Sequence, residues 1–280
     1  MNIPFTKMHG LGNDFIVLDQ TSDKVELSAE KIRALSDRHF GIGFDQLLQI
    51  EAASSADVDF YYRIFNADGE EVEHCGNGAR CFAKYVYDKG LSDKNPLRVK
   101  TVNRTLVLHA NEDGEVTVDM GIPEFEPESI PFRAANRATL YSENIQIDGN
   151  SNAIEFAALS MGNPHAVICV EDLANTAVKD IGEAVGNHSG FPEGVNVGFM
   201  QIISRNEISL RVFERGAGET LACGTGACAA VVAGCLLELL DATVKVNLTG
   251  GQLSVQWQQQ DQPVLMTGPA TTVYEGTIEI

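Results

Sequence analysis

Two stretches of the chain repeat one pattern. "EHCGNGARCFAKY" at residues 73–85 and "LACGTGACAAVVA" at residues 221–233 each place a cysteine before a glycine-rich turn that leads into an alanine-rich apolar run. A shift of 148 residues, which carries Cys75 onto Cys223, also lays Arg63, Phe65, Glu71, Gly76, Gly78 and Ala79 over Arg211, Phe213, Glu219, Gly224, Gly226 and Ala227. At 150 residues Asn13 of "GLGNDF" meets Asn163 of "SMGNPH", and Gln46 of "GFDQL" meets Asn196 of "GVNVG". At 146 residues "VTVDMGIP" ending at Pro123 meets "PVLMTGP" ending at Pro269. Solenoid repeats run roughly 20–50 residues, so a period this long marks duplicated domains.

The duplication predicts two similar domains packed face to face with a cleft between them: 1–123 joined by 269–280, and 124–268. At 280 residues each half is long enough to bury its own core. The fold class expected is α/β, with mixed α and β elements and each β-sheet wrapped around a central buried helix. Residues 225–240 are apolar nearly all round and predict that helix in the second half, with 78–88 as its counterpart and Gly90 as a stop. Alternation around an Asp-Gly turn predicts a hairpin over 105–120, and "QQDQP" centres another over 253–266. A helix capped by Ser28 is expected over 28–39.

Composition narrows the setting. The longest apolar run, residues 227–237, falls well short of the ~20 residues that cross a bilayer, and the N-terminus lacks a basic region followed by an apolar one. A cytoplasmic protein without a membrane partner is expected. A net charge of -19 disfavours nucleic acid, because holding phosphates takes lysine and arginine that displace counterions. A small anionic substrate remains compatible with a locally positive site. The six cysteines form no CxxC pair, and in the cytoplasm they are expected as thiols serving catalysis or packing, with no metal site. Cys81, Cys169, Cys228 and Cys235 read as packing residues.

Cys75 and Cys223 read differently. Each precedes Gly-Asn-Gly or Gly-Thr-Gly at a strand-to-helix junction, where exposed backbone N–H groups and the helix dipole favour negative charge. Such a field is expected to stabilise a thiolate, and glycines let the carboxylate of a ligand approach the backbone closely. Two acid/base groups contributed by duplicated halves suit stereoinversion: one removes the α-proton, and the other delivers a proton to the opposite face. Opposed helix N-termini would supply the donors that stabilise the developing carbanion.

"MHGLGNDF", "GFDQL", "FNADGEEVEHCGNGARC", "MGNPHAV", "PEGVNVGF" and "ERGAGETLACGTGACA" together resemble the diaminopimelate epimerase family over nearly the whole chain. The resemblance implies an isomerase that interconverts LL- and meso-diaminopimelate without a cofactor, on the route to lysine and peptidoglycan. It implies that Cys75 and Cys223 are the paired acid and base, and that Gly76, Asn77, Gly224 and Thr225 cradle the α-carboxylate. Asn13, Gln46, Asn66, Asn163, Asn196, Glu214 and Arg215 are similar to the family's other substrate contacts. His165 and Glu214 match residues that orient the amino group and tune the cysteines. A homodimer is implied, with Tyr274 at its interface. Residues 134–152 are long for the family and are expected to be a surface variation.

Physical chemistry gives these positions independent sense. The planar guanidinium of Arg215 suits the distal carboxylate of a diacid. The asparagines could equally serve turns, since asparagine bonds its own backbone there. The duplication breaks where Phe15 meets His165 and Asn66 meets Glu214, which fits a pseudo-symmetric site to an asymmetric substrate. Two alternatives stay open on sequence: a proline or hydroxyproline racemase of the same fold, and a dithiol redox or anion-binding protein. A pyridoxal phosphate racemase would need a Schiff-base lysine, and no lysine lies in a recognisable site.

Overall fold

The structure, a computed structural model, describes residues 2–53, 55–72, 75–147, 149–259 and 261–279. It divides into two compact units, Met1–Asp119 with Thr267–Ile280, and Met120–Met266. Unit 1 runs β1 (Asn2–Gly10), β2 (Asn13–Gln20), α1 (Ala29–Ser36), β3 (Gln46–Ala52), β4 (Phe60–Asn66), β5 (Glu71–Val72), α2 (Gly76–Asp88), β6 (Leu97–Lys100), β7 (Thr105–Ala110) and β8 (Val116–Asp119). Unit 2 follows with β9 (Tyr141–Ile147), β10 (Asn150–Ser160), β11 (Pro164–Cys169), α3 (Val178–Gly186), β12 (Asn196–Ser204), β13 (Glu207–Glu214), β14 (Gly218–Thr220), α4 (Gly224–Leu236), β15 (Thr243–Leu248) and β16 (Gly251–Gln256). β17 (Leu265–Gly268) then leads into β18 (Thr271–Glu279), which pairs antiparallel with β1 in unit 1.

Both units follow one chain path. In unit 1, β1 and β2 pair antiparallel, β2 and β3 parallel across α1, β3 and β4 antiparallel, β4 and β5 antiparallel, and β4 and β6 parallel. In unit 2, β10 and β11 pair antiparallel, β11 and β12 parallel across α3, β12 and β13 antiparallel, β13 and β14 antiparallel, and β13 and β15 parallel. The aligned ion pairs recur too. Arg63 on β4 grips Glu71 on β5 with two bonds of 2.8 Å, and Arg211 on β13 grips Glu219 on β14 with bonds of 2.6 and 2.9 Å.

Each sheet wraps a central helix. α2 packs on β1, β2, β3, β7 and β8, and α4 on β10, β11, β12, β13 and β16. Alanine, glycine, cysteine and valine make α4 a thin, uncharged rod, so the sheet can surround it; every residue from Gly226 to Cys235 is buried. A Cβ at Gly78 in α2 would stand 2.3 Å from the Tyr62 hydroxyl, so the sheet reaches that helix only because the position is glycine.

Boundaries differ from the sequence expectations for local reasons. α2 and α4 start at Gly76 and Gly224, ahead of the expected 78 and 225, because each cysteine acts as the N-cap. α4 stops at Leu236 and does not reach residue 240, because Glu238 turns into the left-handed region at φ 60°. α1 is capped by Ser28, whose hydroxyl accepts the Lys31 N–H at 3.3 Å, and ends at Ser36, where Asp37 captures the N–H groups of His39 and Phe40. Gly90, at φ 63°, closes α2 as expected. The hairpin over 105–120 is present as β7 and β8, and β16 and β17 flank the second turn. Within 134–152 the chain forms β9 and the start of β10, paired as a hairpin (Ile147 opposite Asn150), whose Ile145 joins the unit 2 core around Phe132, Phe156 and Phe191. The segment therefore contributes packing as well as surface.

Candidate active site

The unit 1 site grows from a tight turn and a helix start. Leu11 and Gly12 both have positive φ, 58° and 88°, the geometry that a two-residue hairpin between twisted strands requires. That turn sets Asn13 as the first residue of β2. Its Oδ1 accepts the Cys75 thiol at 3.7 Å and the Asn77 Nδ2 at 3.3 Å, while its Nδ2 donates to Asp45 Oδ2 at 3.0 Å. Cys75, half-buried, accepts the Gly78 N–H on its sulfur at 3.4 Å. Gly76 and Asn77 form the buried first turn of α2. On the neighbouring strands Gln46 pairs with Asn66, and Gln46 Nε2 donates to Asn66 Oδ1 at 2.9 Å. Among the described residues the buried Gln46 Oε1 meets no donor. An unpaired buried acceptor costs about 1–3 kcal/mol.

Unit 2 repeats the plan with different side chains. Gly162, at φ 89°, precedes Asn163, whose Nδ2 donates to Thr225 Oγ1 at 3.3 Å. Its Oδ1 faces His165 Nε2 at 3.0 Å, so that ring nitrogen is the donor. Thr225 lies 3.6 Å from Cys223 Sγ, and the Gly226 N–H donates to the same sulfur at 3.4 Å. His165, on β11, pairs with Asn196 on β12, whose side chain bonds the Pro164 carbonyl and the Arg215 N–H. Gly224 opens α4 in the buried first turn. Glu214 ends β13, and the Thr220 hydroxyl donates to it. Arg215 stands in the turn before β14 and donates to the Glu193 carbonyl at 2.9 Å.

The electrostatics correct one expectation. Burial pushes the Cys223 thiol well above its ordinary pKa and the nearby Glu214 carboxylate adds to the rise, outweighing Thr225 and the Gly226 N–H. The field of the helix terminus is thus opposed at Cys223 by burial and by a neighbouring carboxylate. Of the cysteines expected to pack, Cys81, Cys228 and Cys235 are buried, whereas Cys169 is exposed at the end of β11. Tyr274 lies on β18, 45% exposed, edge-on to Phe5. Among the described residues no group of three or more His, Cys, Asp or Glu side chains could hold a metal ion, and no helix is long and apolar enough to cross a membrane.

Sequence reasoning missed the residues behind Asn13 and Asn77. Asp14 bonds Lys7 and Arg38, and Arg38 bonds Asp45, forming a charged cluster at the base of Asn13. Burial would raise the Asp14 carboxyl, but Arg38 and Lys7 hold it down at about 2. Arg80, fully buried, bonds the first turn of α2. The one available signal was that Arg80 meets Cys228 in the shifted alignment, a charge standing where its counterpart is apolar.

The crystal structure of a phenazine biosynthesis protein of the PhzF family from Bacillus anthracis superposes with a TM-score of 0.69 at 16% identity, covering 100% of both chains. A hydroxyproline epimerase from Agrobacterium vitis with bound trans-4-hydroxy-L-proline gives 0.68 at 14% identity, over 99% of this chain and 92% of that one. These likenesses define the fold class: a duplicated α/β architecture, here carrying a cysteine-capped helix in each half. The diaminopimelate epimerase family model matches residues 5–126 and 157–273. Diaminopimelate epimerases from Nitrosomonas europaea and Cupriavidus metallidurans are 56% and 55% identical over 100% of this chain, and over 100% and 98% of their own lengths. The chain belongs to the diaminopimelate epimerase family, and by that membership is an epimerase.

Proposed function

We propose that this protein interconverts LL- and meso-diaminopimelate with Cys75 and Cys223 as the acid/base pair. The observation that carries the assignment is the recurrence, at aligned positions of two duplicated units, of a cysteine that caps its helix and receives a glycine N–H on its sulfur at 3.4 Å. In the reaction one thiolate takes the α-proton, breaking C–H and forming S–H. The other thiol then returns a proton to the opposite face of the same carbon, so no cofactor enters the proton balance. Backbone N–H groups of Gly76, Asn77, Gly224 and Thr225 hold the α-carboxylate and stabilise the charge that develops beside it. His165 and Glu214 set the substrate amino group and the proton affinity of Cys223. Asn13, Gln46, Asn66, Asn163, Asn196 and Arg215 hold the remaining polar groups, with Arg215 on the distal carboxylate. The orphaned Gln46 Oε1 supports a donor on the ligand.

The chain halves 1–123 with 269–280, and 124–268, are the working domains in this account. It acts in the cytoplasm as a homodimer, and the exposed Val273 and Tyr274 on β18 support that strand as its contact. The test is proton NMR of LL-diaminopimelate with the reduced protein in deuterium oxide. Loss of the α-proton signal together with appearance of the meso form is expected. No exchange by folded protein with free thiols would overturn the assignment, and exchange of proline instead would favour a proline racemase.

A further inference from the structure

Arg80 is the largest fully buried side chain among the described residues, and its bonds run into the half-site of Cys75. Its Nη2 donates to Asn77 Oδ1 at 2.9 Å, its Nε to the Pro269 carbonyl at 3.1 Å, and its Nη1 reaches the Gly76 carbonyl at 3.5 Å. A guanidinium has donors and no acceptor, so the atom of Asn77 that faces it must be the oxygen. Asn77 Nδ2 is thereby turned to Asn13, and Asn13 must present its own oxygen. At the far end Asp45 is acceptor only, which takes Asn13 Nδ2. Fixed charges at both ends thus decide the direction of every amide between them.

Unit 2 lacks this arrangement. Cys228 occupies the position aligned with Arg80, and Asn163 runs the other way, giving its N–H to Thr225 and its oxygen to His165. The two asparagines therefore turn opposite ends toward their cysteine-bearing helices. We propose that Arg80 is a positioning residue, its buried guanidinium fixing the Asn77 and Asn13 amides so that Asn13 turns its carbonyl oxygen, and not its own N–H, to the Cys75 thiol, opposite in effect to the Gly78 N–H that caps the same sulfur. An oxygen in that place favours the thiol over the thiolate at Cys75, and the proposal rests on the acid/base role assigned to Cys75 above.

Among the described residues the titratable and charged groups near Cys75 include Tyr62 on β4, Cys81 and Arg80 on α2, and the Asp45, Asp14 and Arg38 cluster behind Asn13. Arg80→Lys keeps the positive charge among them and loses the fork, so it isolates the directional role. The readout is the pH dependence of iodoacetamide labelling at Cys75 and Cys223, separated by peptide mapping without substrate. In Arg80→Lys the Cys75 midpoint should fall by about 0.5 pH unit or more, since freed amides can turn an N–H to the thiolate, while Cys223 stays put. An unmoved Cys75 midpoint in folded protein, or equal movement of both cysteines, would overturn the proposal; a purely structural Arg80 would lower only the unfolding midpoint. Should Arg80→Lys not fold, neutron diffraction on the unaltered protein decides. Asn13 deuterons directed at Asp45 support the proposal, and one directed at Cys75 Sγ sinks it. Labelling needs no turnover, so a failure of the epimerase assignment would show separately, in the α-proton exchange assay.

Discussion

The sulfur of Cys75 accepts the N–H of Gly78 at 3.4 Å, so the residue assigned to proton transfer is also the cap of its own helix. Cys223 and Gly226 repeat the relationship at the same distance. The two roles can be separated by choice of substitution. Serine caps helices well but is a far weaker acid and base than a thiol. Cys75→Ser and Cys223→Ser should keep stability within about 0.5 kcal/mol, whereas the alanine variants should lose about 1 kcal/mol with the cap. All four should lose at least about 100-fold in epimerisation rate. Urea unfolding and the NMR assay report the two effects, and wild-type turnover in either serine variant would count against the pairing.

Glu214 raises the proton affinity of Cys223 on top of the larger effect of burial. Glu214→Gln removes the charge and leaves the burial, so the pH midpoint for Cys223 labelling should move down while staying above that of a free thiol. Labelling of Cys75 serves as the internal reference. A Cys223 midpoint that rises or stays fixed would show that the carboxylate does not act on the sulfur.

Burial lifts the Cys81 thiol to about 12 and Cys235 to about 11, from 9.0. Both are protonated in folded and unfolded chains below 9.0, so their contribution is then complete. Above that pH the unfolded chain releases protons that the folded chain keeps, and stability falls, by about 1.4 kcal/mol per pH unit for each thiol. The loss attributable to Cys235 levels off near 11 and that to Cys81 near 12. Urea midpoints measured from pH 7 upward should be level and then decline; a level profile through pH 10.5 would contradict the burial of these thiols.

The Asp14 carboxyl behaves in the opposite sense. Held at about 2 by Arg38 and Lys7 against the cost of burial, it contributes stability that is complete above 3.8 and is lost as pH falls through about 2. Asp14→Asn should abolish that acid-side slope and lower stability at neutral pH by about 3 kcal/mol, since Lys7, 8% exposed, would lose its partner. Acid titrations of both proteins, followed by circular dichroism, provide the comparison.

Arg215 sits on a turn, with its guanidinium on the Glu193 carbonyl. Arg215→Ala should raise KM for diaminopimelate by about 10-fold or more while the unfolding midpoint hardly moves. An unchanged KM would remove the arginine from the distal carboxylate.

Much of this molecule is legible in its sequence. The duplication gave two units of like topology, because equivalent strands, helices and the Arg63–Glu71 and Arg211–Glu219 pairs recur at nearly fixed spacing. Cysteine before a glycine turn and an apolar run was enough to locate both capped helices, since capping is a local matter of a few residues. Helix ends were less legible: Asp37 and Glu238 stop α1 and α4 through conformations that no apolar periodicity records.

What tertiary structure alone decided was the direction of hydrogen bonds and the cost of charge. Asparagine reads the same in sequence at 13 and 163, yet one amide is held between Asn77 and Asp45 and the other gives its N–H to Thr225, partners that arrive from distant parts of the chain. A cysteine at a helix start suggests a thiolate, yet burial and Glu214 raise the proton affinity of Cys223. Local order follows from local sequence, whereas burial and long-range charge exist only once the chain has folded around them.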